Sequence, residues 1–334
     1  MNKRWICSDV WMDILPSFNH AQLGLKMALL SDRFDVLNNG KGPKSKLFVE
    51  IKDKFVQFPM PDHPLPNKIR FHYLHIDYID HSVITFLRSN KQIWDRKGTN
   101  LKLWLYKTED EQRIWDVMAS EIWPVFATSI RHLGFDDGDY LDNLRRLISP
   151  TILIDSIQLN SIYSGVLLPD GIADDGPNAT AGQALTKWLH TPSKDGQPKR
   201  LCLNAFLVGS LNLEWVNNFK ETFRRATTSV SYTIQLYFYV EPMPIVPFEL
   251  VNGRTNEKLT LKQSKEYNLV NLLLQRCPIG ETAPVKWEDQ HEKSGANANL
   301  NNIRFSLWTF NKAIGPLSPP AEEDEEEADE SNEN

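Results

Sequence analysis

A short apolar pattern recurs along most of the chain and limits the folds open to it. In each copy two apolar residues flank one other residue, and three copies carry a further apolar residue three positions earlier. The three fuller copies are Phe71-x-x-Leu74-x-Ile76, Ile130-x-x-Leu133-x-Phe135 and Ile154-x-x-Ile157-x-Leu159. The pair alone recurs at Leu101/Leu103, Leu201/Leu203, Ile234/Leu236, Leu259/Leu261 and Phe305/Leu307. Because side chains alternate between the two faces of a strand, we predict a half-buried β-strand at each of these eight positions.

Segments with helical periodicity separate the predicted strands. They cover residues 80–94, 109–126, 140–148, 180–189, 211–225 and 266–277. Within the second of these, Ile114, Met118 and Ile122 lie four residues apart, which places them on one face of a helix. Strand and helix therefore alternate, and the sequence predicts an α/β protein.

Two arrangements of alternating strands and helices agree with the pattern. A strand with this pattern turns its apolar side chains toward the helix that follows, and one such unit cannot bury that face alone. Stacked units would form an irregular leucine-rich-repeat-like βα solenoid with a parallel sheet, whose intervals often exceed the roughly 20 to 29 residues of regular repeats. The alternative is an ordinary α/β sheet, in which any buried strand can show the same pair. We expect the solenoid at residues 68–312, interrupted by loops at 169–180 and 242–247.

The charge of the chain is concentrated at its C-terminal end. Residues 322–333 hold nine acidic side chains and no basic one, and without them the formal net charge of −6 becomes +3. Residues 313–334 are therefore predicted to be a disordered acidic tail. The remaining body has no basic block of the kind that neutralises a phosphate backbone, so we predict no nucleic-acid partner.

The cellular compartment is indicated by what the sequence lacks. No run of about eighteen apolar residues is present, so no membrane-spanning segment or membrane partner is predicted. The N-terminus has no basic segment followed by an apolar region, as a signal peptide would have. Cys7, Cys202 and Cys277 are odd in number and far apart, which favours a reducing compartment. We predict a cytoplasmic and/or nuclear protein.

The common signatures of catalysis are missing from the sequence, which has no glycine-rich phosphate loop, nucleophile elbow or His-Glu-x-x-His motif. His72 and His75 are separated by an odd number of positions in one predicted strand, so they point to opposite faces and do not form a metal site. The Asp-Asp-Gly sequence at 174–176 is interpreted as a turn, and Cys277 as a buried structural cysteine. We therefore predict a non-enzymatic protein with no catalytic residue, cofactor or metal.

The first forty residues carry a separate helical pattern. Val10, Trp11, Ile14, Leu15 and Phe18 recur mainly at spacings of three and four. A second apolar series begins at Leu23, and a stretch rich in Gly, Lys and Asn follows at 38–46. We predict a helical module at residues 1–40 and a linker at 41–67.

The N-terminal module resembles an F-box. The resemblance is carried by Trp11-x-x-Ile14-Leu15-Pro16-x-Phe18, Leu23-Gly24-Leu25 and Ser31-x-Arg33-Phe34. The segment is similar to the N-termini of an expanded nematode family of F-box domain-containing proteins, and the text at 248–252, 257–261 and 276–280 is similar to that family's C-terminal part. The resemblance implies the substrate-recognition subunit of a Skp/cullin/F-box ubiquitin ligase, in which catalysis lies in another subunit.

The resemblance also implies which side chains contact the Skp-type linker subunit and, through it, a cullin. They are Val10, Trp11, Ile14, Leu15, Phe18, Leu23, Leu25 and Phe34. The usual Leu-Pro opening of an F-box is replaced by Ile6-Cys7-Ser8.

Two other interpretations stay open. The helices of residues 1–40 could instead cap the first repeat, which would make the protein a repeat-based interaction scaffold without ligase coupling. A hydrolase with a non-standard site would require a deep pocket lined by convergent carboxylates or histidines. The identity of the protein target is not encoded in any recognisable motif.

Overall fold

The structure is a computed structural model that describes fourteen segments of the chain. They are residues 46–51, 54–59, 64–65, 71–76, 79–94, 99–103, 111–135, 138–165, 167–204, 213–238, 246–266, 269–280, 301–306 and 317. The predicted helical module at 1–40 and the acidic residues at 322–333 lie outside these segments.

The described segments form strands and helices in alternation through the middle of the chain. The strands are β1 (Lys46–Ile51), β2 (Lys54–Pro59), β3 (Phe71–Ile76), β4 (Thr99–Leu103), β5 (Ile130–Phe135), β6 (Ser161–Ser164), β7 (Lys199–Asn204), β8 (Tyr232–Phe238), β9 (Phe248–Asn252), β10 (Glu257–Glu266), β11 (Leu269–Pro278) and β12 (Asn301–Ser306). The helices are α1 (His81–Ser89), α2 (Lys91–Trp94), α3 (Glu111–Val117), α4 (Trp123–Phe126), α5 (Gly138–Leu147), α6 (Ile152–Asp155), α7 (Ala181–Leu189) and α8 (Leu213–Arg225), with a π-helical turn at Met118–Ile122 between α3 and α4.

All twelve strands belong to one open sheet. Their order is β2-β1-β12-β3-β4-β5-β6-β7-β8-β11-β10-β9. The seven strands from β12 to β8 pair in parallel, and the strands on either side are antiparallel. The prediction of an α/β protein is thus confirmed, and the predicted parallel sheet is confirmed in part, because the sheet is mixed.

The strands from β3 to β8 follow one another across the sheet in the order of the sequence. Parallel crossover connections are almost always right-handed, so a constant direction of travel places every connecting helix on the same face of the sheet. Neighbouring helices of this layer contact one another, as α5 does with α3 and α7, and α7 with α6. The helices therefore form one layer on one side of the sheet.

The predicted apolar pairs account for the face that this layer covers. Leu74, Leu101, Leu133, Ile162, Leu201 and Ile234 occupy one register position on six successive strands. Of these, Leu74, Ile162, Leu201 and Ile234 are completely buried. Side chains two residues further on, such as Leu203 and Leu236, are buried beside them. These two rows form the centre of the core between the sheet and the helices.

Polar side chains fix the starts of two predicted helices. The Asp80 carboxylate accepts a hydrogen bond from the N–H of Val83 at 2.9 Å, before α1. The Thr180 hydroxyl accepts one from the N–H of Gln183 at 3.1 Å, and the Gln183 side chain accepts one from the N–H of Thr180 at 2.9 Å. This reciprocal pair is a capping box, which satisfies backbone donors that have no partner within the helix.

The predicted strand at Ile154-x-x-Ile157-x-Leu159 is wrong. Residues 152–155 form α6, because the hydroxyls of Ser149 and Thr151 both donate to the Asp155 carboxylate, at 2.9 Å and 2.8 Å, and so hold the chain in one helical turn. Ile157 is 52% exposed. The strand of this repeat is β6, which begins only at Ser161.

The predicted helix at 266–277 is also wrong, because residue 266 ends β10 and residues 269–277 form most of β11. Pairing with β8 and β10 buries Val270, Leu272, Leu274 and Arg276 on one side, with a period of two. Three consecutive leucines at 272–274 suit a helix as well as a strand, and the partners on both sides select the strand.

Three other segments of the chain differ from regular repeats. The pair Leu259/Leu261 lies in antiparallel β10, and Phe305 lies in β12, which returns to pair with β3. Within the range predicted as a linker, β1 and β2 join the same sheet through β12.

The predicted loop after β6 is irregular and firmly attached. Arg145 donates hydrogen bonds to the carbonyls of Pro150 at 3.1 Å and Gly176 at 2.9 Å, and also to the carbonyl of Ala179. The Trp215 indole N–H donates to the carbonyl of Pro169 at 3.1 Å. These bonds satisfy buried backbone groups that a loop would otherwise leave without partners.

Candidate functional site

The two faces of the parallel strands have different surroundings. One face carries the buried leucine rows beneath the helices. The other, here called the open face, carries the side chains that alternate with those rows on β5 to β8. His132, Tyr163, Arg200, Thr233 and Tyr237 are partly exposed there. The helices lie on the opposite side of the sheet, so among the described residues no connecting helix covers the open face.

Arg200 lies near the centre of the open face. Its neighbours in sequence, Lys199 and Leu201, are 5% and 0% exposed on the helix-covered face, so strand alternation directs Arg200 the other way. In register it lies between Ser161 on β6 and Thr233 on β8. The backbone N–H of Arg200 donates to the carbonyl of Asn160 at 2.8 Å, which fixes the position of the strand.

The guanidinium of Arg200 is partly withdrawn from water, and burial lowers the pKa of Arg200 below its usual value. Among the described residues, no carboxylate forms a salt bridge with it. A cation that has lost part of its hydration without gaining a counter-ion binds an anionic group more strongly than a fully hydrated cation does. Arg200 is therefore the side chain of this face best suited to hold an acidic partner.

Small and large residues alternate around Arg200. His132 and Arg200 lie two strands apart with Ser161 between them in register, a separation of roughly 10 Å. In the next row Gly134, Tyr163 and Cys202 are neighbours. Ser161 and Cys202 are both buried. The result is a polar surface with aromatic and cationic side chains above a base of small ones.

The open face lacks acidic residues. Its positions on the described parts of β5 to β8 hold two basic side chains, His132 and Arg200, among Gly, Ser, Thr, Tyr, Cys and Gln, and no Asp or Glu. Arg and Tyr are over-represented at the centres of protein interfaces. Arg200, Tyr163 and Tyr237 supply both residue types on this face.

A second group of charged residues is buried on the helix-covered side. Glu257 and Arg276 are 0% and 1% exposed, and two guanidinium nitrogens of Arg276 lie 2.6 Å and 3.0 Å from the same Glu257 oxygen. Burial raises the pKa of Glu257, but the hydrogen bonds and the charge of Arg276, together with the hydrogen bond from Ser229, hold that pKa below its usual value. Arg276 also donates to the carbonyl of Thr228 at 2.8 Å. The pair joins the antiparallel strands to the segment before β8 and has a structural role.

His190 lies beside this pair and faces it across Tyr232. The rings of His190 and Tyr232 are 5.5 Å apart in an edge-to-face arrangement. The Nδ1–H of His190 donates a hydrogen bond to the carbonyl of Thr186 at 2.9 Å. Burial lowers the pKa of His190 to about 4, although the bond to Thr186 opposes the shift; the charges of Arg276 and Lys199 add to it. Its Nε2 is buried and has no hydrogen-bond partner among the residues that the structure describes. The side chain is therefore neutral in the folded protein at physiological pH.

The neutral state of His190 predicts a loss of stability in mild acid. Between its unfolded pKa of about 6.5 and its folded pKa of about 4, the unfolded chain binds one proton more, so the free energy of unfolding falls as the pH falls. We expect wild type to lose about 2 kcal/mol more than His190→Gln between pH 7 and pH 4.5. Urea unfolding of both proteins at the two pH values measures this difference, and equal losses would contradict it.

The structure tests several of the sequence-predicted residues. Cys277 is buried, as predicted. Asp174 lies in a turn, as predicted, where its carboxylate accepts from the N–H of Gly176 at 3.0 Å. No cluster of His, Cys, Asp and Glu within the described segments is arranged to hold a metal ion. The candidate linker-binding residues all lie outside the described segments, namely Val10, Trp11, Ile14, Leu15, Phe18, Leu23, Leu25 and Phe34.

The sequence also contains a signal for the open face, in the residues that stand beside the apolar pairs. Arg200 and Cys202 stand directly before and between the paired leucines 201 and 203. In any strand of this pattern the intervening residues belong to the uncovered face. Reading them together across β5 to β8 gives the row His132, Ser161, Arg200 and Thr233.

Among the described residues, no helix combines the length and the apolar character needed to cross a bilayer. Comparisons with models of protein families, with curated proteins and with solved structures gave no match to this chain.

Proposed function

We propose that the protein is a non-enzymatic recognition subunit that binds a protein target through the open face of an irregular leucine-rich-repeat-like βα solenoid. One observation carries the proposal. Six parallel strands follow one another in sequence order, and they have a helix-covered face of leucines and an uncovered face of polar and aromatic side chains. Repeat proteins with this division of faces bind their partners on extended concave surfaces.

The resemblance of residues 1–40 to an F-box adds the proposal of a cellular role. In this proposed role the protein is the substrate-recognition subunit of a Skp/cullin/F-box ubiquitin ligase, in the cytoplasm and/or the nucleus. Val10, Trp11, Ile14, Leu15, Phe18, Leu23, Leu25 and Phe34 bind the Skp-type linker subunit. No side chain of this chain takes part in the chemistry. The complex holds a lysine of the target near the ubiquitin-charged enzyme and so raises its effective concentration.

A repeat-based interaction scaffold without ligase coupling is the second candidate, since it uses the same open face. In that case residues 1–40 close the end of the solenoid and contribute to folding. Deleting residues 1–40 separates the two candidates. Removing a docking module leaves the melting transition of the remaining chain unchanged, whereas removing a cap lowers its midpoint or makes the chain insoluble.

Capture of the linker subunit tests the ligase proposal. We expect tagged wild-type protein to retain a purified Skp-type linker subunit, and the double variant Leu15→Asp plus Leu23→Asp to retain none, because two charges replace apolar contacts. Arg225→Asp on α8, whose side chain is 83% exposed, is the matched control and should retain the linker fully. If neither wild type nor the double variant retained the linker subunit, ligase coupling would be refuted. That result would not contradict target binding by the open face.

A further inference from the structure

The open face and the C-terminal end of the chain carry opposite charge. The face holds His132 and Arg200, which forms no salt bridge with any described residue. The described parts of β5 to β8 place no acidic side chain on it. Residues 322–333 hold nine acidic side chains and no basic one. Opposite charges of this kind raise the rate of encounter and favour one partner over others.

The chain is attached to the core close to the start of this acidic segment. Leu317 packs against the hydrophobic core, and its carbonyl oxygen lies 3.2 Å from Nδ1 of His81. His81 is the first residue of α1, which follows the C-terminal end of β3. The acidic segment therefore starts five residues beyond an attachment point that lies near the C-terminal ends of the parallel strands.

The distance from this attachment point to Arg200 is within reach of the acidic segment. Four strand spacings separate β3 from β7, which is about 19 Å. Arg200 lies four residues before the C-terminal end of β7, which adds about 13 Å along the strand. Sixteen residues separate Leu317 from Glu333, and such a segment extends to about 53 Å. The distal half of the acidic segment can therefore reach His132 and Arg200.

We propose that residues 322–333 of this chain bind its own open face, with carboxylates of the segment paired to Arg200 and His132. This inference rests on the proposed role of the open face as a recognition surface. It adds that the surface selects extended acidic segments, and that a target must displace the tail before it binds.

Covalent attachment makes this binding effective even if the contacts are weak. A short flexible connection holds a ligand at an effective concentration on the order of 1 mM. A site with a dissociation constant of about 0.1 mM for the free peptide would then be about nine-tenths occupied by the attached tail.

The test uses the full chain and a peptide of residues 322–333. The probe is this peptide with a fluorescent label, and binding is measured by fluorescence anisotropy at low salt. In the neutral-tail variant every Glu and Asp of 322–333 is replaced by Gln or Asn. We expect the neutral-tail variant to bind the peptide at least ten-fold more tightly than wild type, because its own tail no longer competes.

Two further variants place the binding on the open face. Arg200→Gln in the neutral-tail chain should weaken peptide binding at least five-fold, while Arg225→Gln, which removes an exposed charge from α8, should leave it unchanged. The melting midpoint of each variant confirms that it is folded. Equal weakening by the two substitutions would overturn the proposal, and so would equal binding of the peptide by wild type and the neutral-tail variant.

The remaining outcomes are also decisive. If wild type forms dimers in light scattering and the neutral-tail variant does not, the tail binds a second copy and the intramolecular proposal is wrong. If no variant of the protein binds the peptide, the proposal that residues 322–333 bind the open face is wrong. Neither outcome depends on the linker subunit, whose capture by residues 1–40 is measured separately, so failure of this inference is distinguishable from failure of ligase coupling.

Discussion

Replacing Leu201 by aspartate is expected to unfold the protein, whereas the same change at Arg200 leaves it folded. Leu201 is completely buried in the row of apolar side chains that runs across the parallel strands. A carboxylate there has no hydrogen-bond donor or cation among its described register neighbours, Ile162 and Ile234. Burying such a charge costs more than the roughly 5–15 kcal/mol that stabilises a typical domain.

Arg200→Asp is the matched control for this prediction. The two residues are adjacent in β7, and both are replaced by aspartate. The difference in stability between the two variants therefore reflects which face of the sheet each residue occupies. We expect a change of about 1 kcal/mol or less at Arg200, as for other surface substitutions. Circular dichroism and thermal melting measure both variants. Similar destabilisation at the two positions would contradict the assignment of a covered and an open face.

Replacing Glu257 by alanine is expected to destabilise the fold by about 3–5 kcal/mol. The substitution leaves the guanidinium of Arg276 buried without its counter-ion, and it removes the acceptor for the N–H of Val230 at 2.8 Å and the hydroxyl of Ser229 at 2.9 Å. Urea unfolding at pH 7 measures the loss. The cost arises from the unpaired charge, so the double substitution Glu257→Met plus Arg276→Met should recover most of it.

A surface ion pair provides the control for Glu257. Glu221 and Arg224 lie 2.6 Å apart on α8 and are about half exposed. Glu221→Ala should cost less than about 1 kcal/mol, because water screens the pair and hydrates the remaining charge. A loss at Glu257 no larger than that at Glu221 would mean that the pair between β10 and β11 does not hold the antiparallel strands to the rest of the sheet.

The sequence predicts the covered face well because one physical requirement determines it. Residues such as Leu74, Leu133, Leu201 and Ile234 alternate with polar ones, and alternation has a single consequence in a strand. The helices between them are predicted equally well, since their periodicity and polar caps, as at Asp80, are local features.

Pairings distant in sequence could not be predicted in this way. The leucines at 272–274 are compatible with either structure, and only the register with β8 and β10 makes them a strand. The return of β12 to β3 depends on residues more than two hundred positions apart. Ile157 has the spacing of a strand residue, but hydroxyl contacts to Asp155 place the preceding turn in a helix.

The candidate site could be predicted only in part from the sequence. Strand alternation assigns Arg200 to the uncovered face from sequence alone, but only the register brings His132, Ser161 and Thr233 into its row. Whether a carboxylate lies beside Arg200 likewise depends on neighbours that are remote in the chain, and no described residue supplies one. The sequence therefore indicates which residues belong to the surface, and the fold determines which of them act together.

Quantitative mass spectrometry of proteins that co-purify with three tagged forms of the full chain tests most directly whether the open face is the recognition surface. They are wild type, Arg200→Glu, and Leu15→Asp plus Leu23→Asp. We expect Arg200→Glu to retain the Skp-type linker subunit and lose other specific partners at least five-fold, and the N-terminal double variant to show the reverse. If both variants lost the same proteins, or if Arg200→Glu changed none of the wild-type partners, the open face would not be the recognition surface.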